Sequence, residues 1–306
     1  MKQHVWLSVV TLTALALAGC GKSTSSLRAN VNNGGAPVGS DQAQVSTVVQ
    51  NNPGYVDEDV WQSNQAQAYD HPGGLAAIRP LHFWRDITTV DRTVDTQFGA
   101  PDSSGRPTLA LVTIHKHLQG KFNIVAGAID PADTSRKLVQ KPIDDDWTRK
   151  LVLMRMPMPG DSGRGRWRMV GTSGVTVQTR GGSRHIVKLR IQSGPVDTTI
   201  TDPLELHRLR RIVLMQPGEP VILTATTGNA NDVVLFYGFD QRRRFANNGD
   251  GTFTFEFPAG RFPGLRHFGV DALSNGTLFD DQAPYDSDAW LFPYTVDPMR
   301  VPVDGN

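Results

Sequence analysis

Between residues 90 and 296 the chain repeatedly alternates apolar with polar residues, and clusters of turn formers separate the runs. Val90, Arg92, Val94, Thr96 and Phe98 alternate with Asp91, Thr93, Asp95 and Gln97; Val233, Leu235, Tyr237 and Phe239 mark one face of a later run; Phe253, Phe255 and Phe257 alternate with Thr252, Thr254 and Glu256. A period of two puts alternate side chains on opposite faces of an extended chain, so each run has one face to bury and one to hydrate. The intervening punctuation includes Pro217-Gly218-Glu219-Pro220 and Asn247-Asn248-Gly249-Asp250-Gly251. The pattern predicts a mainly β protein, and 30 glycines with 20 prolines in 306 residues supply its turns.

Composition excludes several classes. With 39% hydrophobic and 20% charged residues, the chain is neither a multi-span helical membrane protein nor wholly disordered. Lys+Arg of 31 against Asp+Glu of 30 gives no global field to recruit nucleic acid. One cysteine excludes an intrachain disulfide framework and any multi-cysteine metal site.

The N-terminus carries the most specific signal. After Lys2, residues 5–16 are apolar except for Ser8, Thr11 and Thr13. About 12 residues cannot span a hydrocarbon core of roughly 30 Å as a helix, so the segment reads as a secretory signal. Leu17-Ala18-Gly19-Cys20 follows, and it resembles the lipobox of bacterial lipoprotein precursors. The resemblance implies cleavage between Gly19 and Cys20 and a diacylglyceryl group on the Cys20 sulfur. One acyl chain holds a protein reversibly, whereas two or three hold it firmly. Gly21 stands where the aspartate of inner-membrane retention would be, so the same resemblance implies the outer membrane or cell surface. Cleavage removes one cation, Lys2, leaving 30 positive against 30 negative side chains. Attachment then depends on lipid and not on charge.

Four segments are expected. Residues 1–19 are the signal peptide. Residues 20–53 are the lipidated cysteine and a flexible tether, rich in Gly, Ser, Asn and Gln without an aromatic. Residues 54–203 form an α+β domain. Its helix is expected over 55–69, with Asp57, Glu58 and Asp59 in the first turn, and a short second helix over 75–78. Strands follow at 90–98, 109–118 continuing through 120–126 after a bend, 150–156, 166–170 and 185–191. Arg79-Pro80-Leu81-His82-Phe83-Trp84-Arg85 and Arg166-Trp167-Arg168-Met169-Val170 make this order similar to the cone-shaped NTF2-like fold, with a second β-sandwich or a lipocalin-like barrel as competing forms. Residues 204–306 carry short strands with frequent turns and resemble bacterial immunoglobulin-like domains in strand layout, without the Cys…Trp…Cys core of antibody domains.

Candidate chemistry is sparse. His115 and His117 share a strand face and would need a third ligand, His82 or His185, to hold zinc or copper; a hydrated face with Lys116 opposite accounts for them better. Asp144-Asp145-Asp146, and Asp280-Asp281 near Asp286 and Asp288, offer oxygen ligands for calcium, yet read more simply as acidic turns. Residues 248–251 are not an EF-hand, since Ala246 and Phe257 occupy the first and last ligand places. Asp161-Ser162-Gly163 is not a nucleophile elbow. Arg208, Arg210 and Arg211, and Arg242-Arg243-Arg244, offer guanidinium groups to envelope polysaccharide anions or sit as solvated strand ends. If the NTF2-like cone exists, Trp84, His115, His117 and Trp167 are the candidates to line its pocket, although their large burial term places Trp84 and Trp167 more readily in the core. The expected role is non-enzymatic binding or scaffolding of an envelope protein or polysaccharide, with no cofactor, metal or nucleic acid. A small-molecule site or enzyme in a middle-domain cavity is the alternative.

Overall fold

The computed structural model describes residues 41–56, 67–68, 77–103, 105–128, 134–157, 165–183, 185–209, 212–238 and 241–297. The lipobox at 17–20 and residues 21–40 lie outside them. The chain opens with α1 (Asp41–Gln50), α2 (Pro53–Val56) and a two-residue β1 (Gln67–Ala68). Four long strands follow as an antiparallel meander: β2 (Arg79–Phe98), β3 (Leu109–Gly127), β4 (Arg136–Met156) and β5 (Arg166–Thr179). The alternation dictates their faces. On β3, Ala110, Val112, Ile114 and Leu118 are buried, while His115 between them is exposed.

Two register shifts break β2, and Gly120 of β3 lies opposite the second, between Ile87 and Thr89. This is the bend expected after residue 118. The extra residue on β2 brings its backbone so close to Gly120 that a side chain has no room.

The chain then alternates between two sheets. The remaining elements are β6 (Ile186–Ser193), β7 (Val196–Ile200), β8 (His207–Arg208), β9 (Leu214–Met215), β10 (Pro220–Thr227), β11 (Val233–Gly238), β12 (Gln241–Arg244), β13 (Ala246–Asn247), β14 (Thr252–Pro258), β15 (Gly264–Leu273), α3 (Asn275–Phe279) and β16 (Ser287–Val296). The large sheet runs β1-β2-β3-β4-β5-β16-β15-β11-β12, with β8 on β5 and β9 on β16. The second sheet runs β13-β14-β10-β6-β7.

Three cores hold this together. The first lies between the sheets and draws Leu189, Ile191, Leu223 and Phe253 from one and Phe236, Phe268, Val270 and Phe292 from the other. The second lies beneath α1, where Val45 and Val49 pack with Trp147, Leu151 and Trp167. Each buried valine contributes about 1.5 kcal/mol or more. Asp41 completes the docking: it accepts from Trp167 Nε1 at 3.0 Å and pairs with Arg155. The third joins Phe83, Phe122 and Ile124 to Leu235, Tyr237 and Leu273, so the large sheet curls until β2 faces β11 and β15.

Several expectations change. The tether expected over 20–53 contains α1, whose valines are buried on the sheet. Of the helix expected over 55–69, residues 55 and 56 end α2, whereas Gln67 and Ala68 are strand β1 and not helix; residues 57–66 and 69–76 lie outside the described residues, and Ala77 and Ile78 form a bend before β2. The boundary at 203/204 does not separate two sheets. β6 and β7, from the expected α+β segment, pair into the second sheet through Leu189↔Ala225, while β16, from the far end, joins β5. Asp144-Asp145-Asp146 is strand, not turn. The turn at 247–251 is a hairpin with Gly249 and Gly251 at φ of 86° and 82°.

Candidate functional site

The four residues expected to share a pocket do not meet. His115 is exposed on the outer face of β3, its Nδ1 3.1 Å from Thr148 Oγ1. His117 lies on the same face and pairs with Asp144. Lys116, opposite, is buried with its ammonium 4.3 Å from the Trp147 ring centroid. Trp84 is half-buried on the face of β2 opposite to Phe83 and Arg85, and Trp167 is core beneath α1. His82 is exposed on β2 and His185 buried before β6, and no group of three His, Cys, Asp or Glu able to hold a metal occurs among the described residues. Of the arginine clusters, Arg210 and Arg211 lie outside the described residues, as do 161–163. Arg242 stacks 4.9 Å over the Tyr237 ring.

Alternation splits the aspartate triplet. Asp144 and Asp146 point outward to His117 and Arg180, and Asp145 points into the curl. There it belongs to a closed polar network that the sequence reading missed. Arg85, fully buried, donates to Tyr285 Oη at 2.9 Å, Asp271 Oδ2 at 2.8 Å and Ser287 Oγ at 3.2 Å, and also to Tyr237. Asp271 accepts from Tyr237 and Ser287, each at 2.8 Å. Asp145 accepts from Thr179 at 2.8 Å and Tyr285 at 3.1 Å. Burial works against the Arg85 charge, but Asp271 and the two tyrosines outweigh it and raise its pKa. Burial lifts Asp145 to about 6, against the pull of Arg85. All of these groups are sealed from solvent and bonded to one another, so the network fixes the curl of the sheet; it offers nothing to a substrate.

A second cluster looks like a nucleophilic relay. Exposed Ser183 has its Oγ 3.3 Å from His185 Nε2, and His185 Nδ1 lies 3.5 Å from buried Asp232. However, Asp286 Oδ2 also takes His185 Nε2 at 3.0 Å and accepts from Ser183 Oγ at 3.0 Å. Burial opposes the imidazolium, yet the two carboxylates hold its pKa up at about 9. A protonated ring already bound at Nε2 cannot accept the serine proton, so the cluster is a charge clamp. It ties the β5–β6 loop to the loops preceding β11 and β16. A folded pKa above the unfolded value near 6.5 means that this stabilisation is complete below pH 6.5 and fades as pH rises through 9. Between pH 6.5 and 8 the unfolding free energy should fall by about 1–2 kcal/mol. Lys141, lowered by burial to about 8, works in the opposite direction only above that window. Urea titrations across this range check the slope, and His185→Gln should flatten it; an unchanged slope in the variant sinks the assignment.

The third feature is a cleft of about 350 Å³ where the sheets part. One wall is β7, with Val196, Thr198 and Ile200. The opposite wall is Thr172, Ser173 and Gly174 of β5 with Phe292 and Pro293 of β16, and His207, Ile212, Val213 and Leu214 complete it. The cleft exists because β5 is irregular here: Ser173 and Gly174 intervene between the residues paired with Leu151 and Arg149, and β5 changes neighbour from β8 to β16. A Cβ on Gly174 would lie 2.7 Å from the Phe292 ring, so that crossing needs glycine. Thr172 and Ser173 satisfy their hydroxyls on the local carbonyls of Ser173 and Gly174, which leaves their wall effectively apolar. Comparisons with protein-family models, with curated proteins and with solved structures find no match to this chain.

Proposed function

We propose that this chain is a lipid-anchored protein of the bacterial cell envelope with a binding or scaffolding role, held at the outer membrane or cell surface. The observation that carries this reading is Leu17-Ala18-Gly19-Cys20 directly after a short apolar run, with Cys20 the sole cysteine. Acyl groups on its sulfur attach a charge-balanced body to the bilayer, and the residues between Cys20 and α1 set the reach. The fold supports a passive role. Its buried charges are spent on internal bonds, and Ser183-His185 is held in a state unfit for base catalysis. Within this reading, the sandwich around Phe236, Phe253 and Phe268 follows an immunoglobulin-like layout. An NTF2-like cone is the weaker description of the meander, because α1, of ten residues, is the longest described helix.

The cleft beside β7 favours a small-molecule ligand over a purely structural role, since its volume falls in the range of about 300–1,000 Å³ typical of ligand sites. Fractionation tests the anchor. The wild-type chain is expected in the membrane fraction, and Cys20→Ser wholly in the soluble fraction with an unchanged unfolding midpoint. Full membrane partitioning of the variant, or an unmodified thiol in the intact mass of the wild type, overturns the reading.

A further inference from the structure

We infer that the cleft between β7 and the β5–β16 junction binds a single-chain fatty acid, with the acyl tail along β7 and the carboxylate held by His207. The inference rests on the binding role proposed above and adds the ligand class. Three observations carry it.

The first is shape. Val196, Thr198 and Ile200 sit at every second residue of one strand and line the same wall. At about 3.3 Å per residue they extend over roughly 13 Å. The cleft is therefore elongated along a strand, which suits a linear chain lying parallel to it.

The second is the chemistry of the walls. Val196, Ile200, Ile212, Val213, Leu214 and Phe292 present aliphatic and aromatic surface. The hydroxyls of Thr172 and Ser173 are already bonded to carbonyls, and Ser173 Oγ also accepts from the Lys150 amide at 2.9 Å. An apolar tail thus strands no buried polar group, whereas a sugar or nucleotide would lose its hydration with few partners in exchange.

The third is a polar group on the wall away from β7. His207, on β8, is half-buried and its ring makes no hydrogen bond to another described residue. An imidazole N–H is a donor, and a carboxylate accepts from it. Donation to an ionised acceptor is about twice as strong as donation to a neutral one, which favours an acid over an alcohol.

The test uses the mature chain carrying Cys20→Ser, so that ligand binding is measured without the anchor and either proposal can fail alone. Calorimetric titration with decanoate should show one saturable site. Val196→Trp, which fills the cleft from the edge strand, should abolish it, and Leu214→Phe serves if that variant does not fold. His207→Gln should weaken decanoate about tenfold and leave decanol unchanged. The inference is overturned by any of three results: no saturable binding of decanoate, full binding by the filled variant, or equal loss of acid and alcohol in His207→Gln.

Discussion

Replacing Arg85 with methionine is expected to cost about 3–5 kcal/mol of stability, the range for removing one partner of a buried ion pair. Methionine keeps the stem but leaves Asp271, fully buried, facing two hydroxyls and no cation. It also removes the charge that offsets the burial of Asp145. Because a domain has only about 5–15 kcal/mol in total, this single change takes a large share. The bulk of that cost is the stranded carboxylate and not the lost attraction. Accordingly, Arg85→Met with Asp271→Asn should be more stable than Arg85→Met alone. Urea unfolding of the two variants and the wild type measures the difference. A loss under about 1 kcal/mol for the single variant, or no recovery in the double one, would show that the network does not hold the curl.

Gly120→Val should destabilise to a similar extent for a steric reason. A Cβ there would lie 2.0 Å from the Asp86 carbonyl oxygen and 2.8 Å from Ile87 Cα. Both are backbone atoms, so no rotamer change relieves the overlap. The bulge on β2 must open, and Phe83 and Arg85 lose their seats a few residues away. Overpacking of this kind costs about 3 kcal/mol or more when the backbone has to move. Gly120→Ala should show most of the effect, because the first carbon makes the clash. Gly181→Ala is the informative contrast: its φ is 70°, but nothing lies near the added carbon. That variant should cost only about 1–2 kcal/mol of backbone strain. Thermal unfolding of the three proteins gives the ranking, and equal midpoints for Gly120→Ala and Gly181→Ala would refute it.

Strands with clean alternation were legible from residue order alone. β11 and β14 both overlap their expected positions, because their inward residues are Val, Leu, Phe and Tyr. Residues 136–149 of β4 were not. The inward ones include Lys141, Asp145 and Arg149, so burial and hydrophobicity part company there. Those charges are tolerated because their partners come from distant segments: Gly276 and Asp280 carbonyls for Lys141, Thr179 and Tyr285 for Asp145, and the Tyr55 carbonyl for Arg149. No local pattern encodes such pairings. α1 was hidden for the opposite reason. Its polar sequence carries Val45 and Val49 as its only buried residues, too thin a stripe to separate from a tether. The expected pocket failed on the same ground as β4, since residue type does not say which face a strand turns inward; Trp167 is consumed in fastening α1. The cleft depends on an irregularity in β5 and on a change of strand partner, and neither leaves a mark in composition.

The position of β16 governs the order in which this molecule can be completed. It is the last strand among the described residues, yet it lies between β5 and β15 and pairs with both. Until it emerges from the ribosome or a translocation pore, β5 has only β4 beside it along its C-terminal half and the large sheet stays in two pieces. Assembly is therefore gated by the arrival of β16, and a chain truncated before residue 287 loses the joint between β5 and β15.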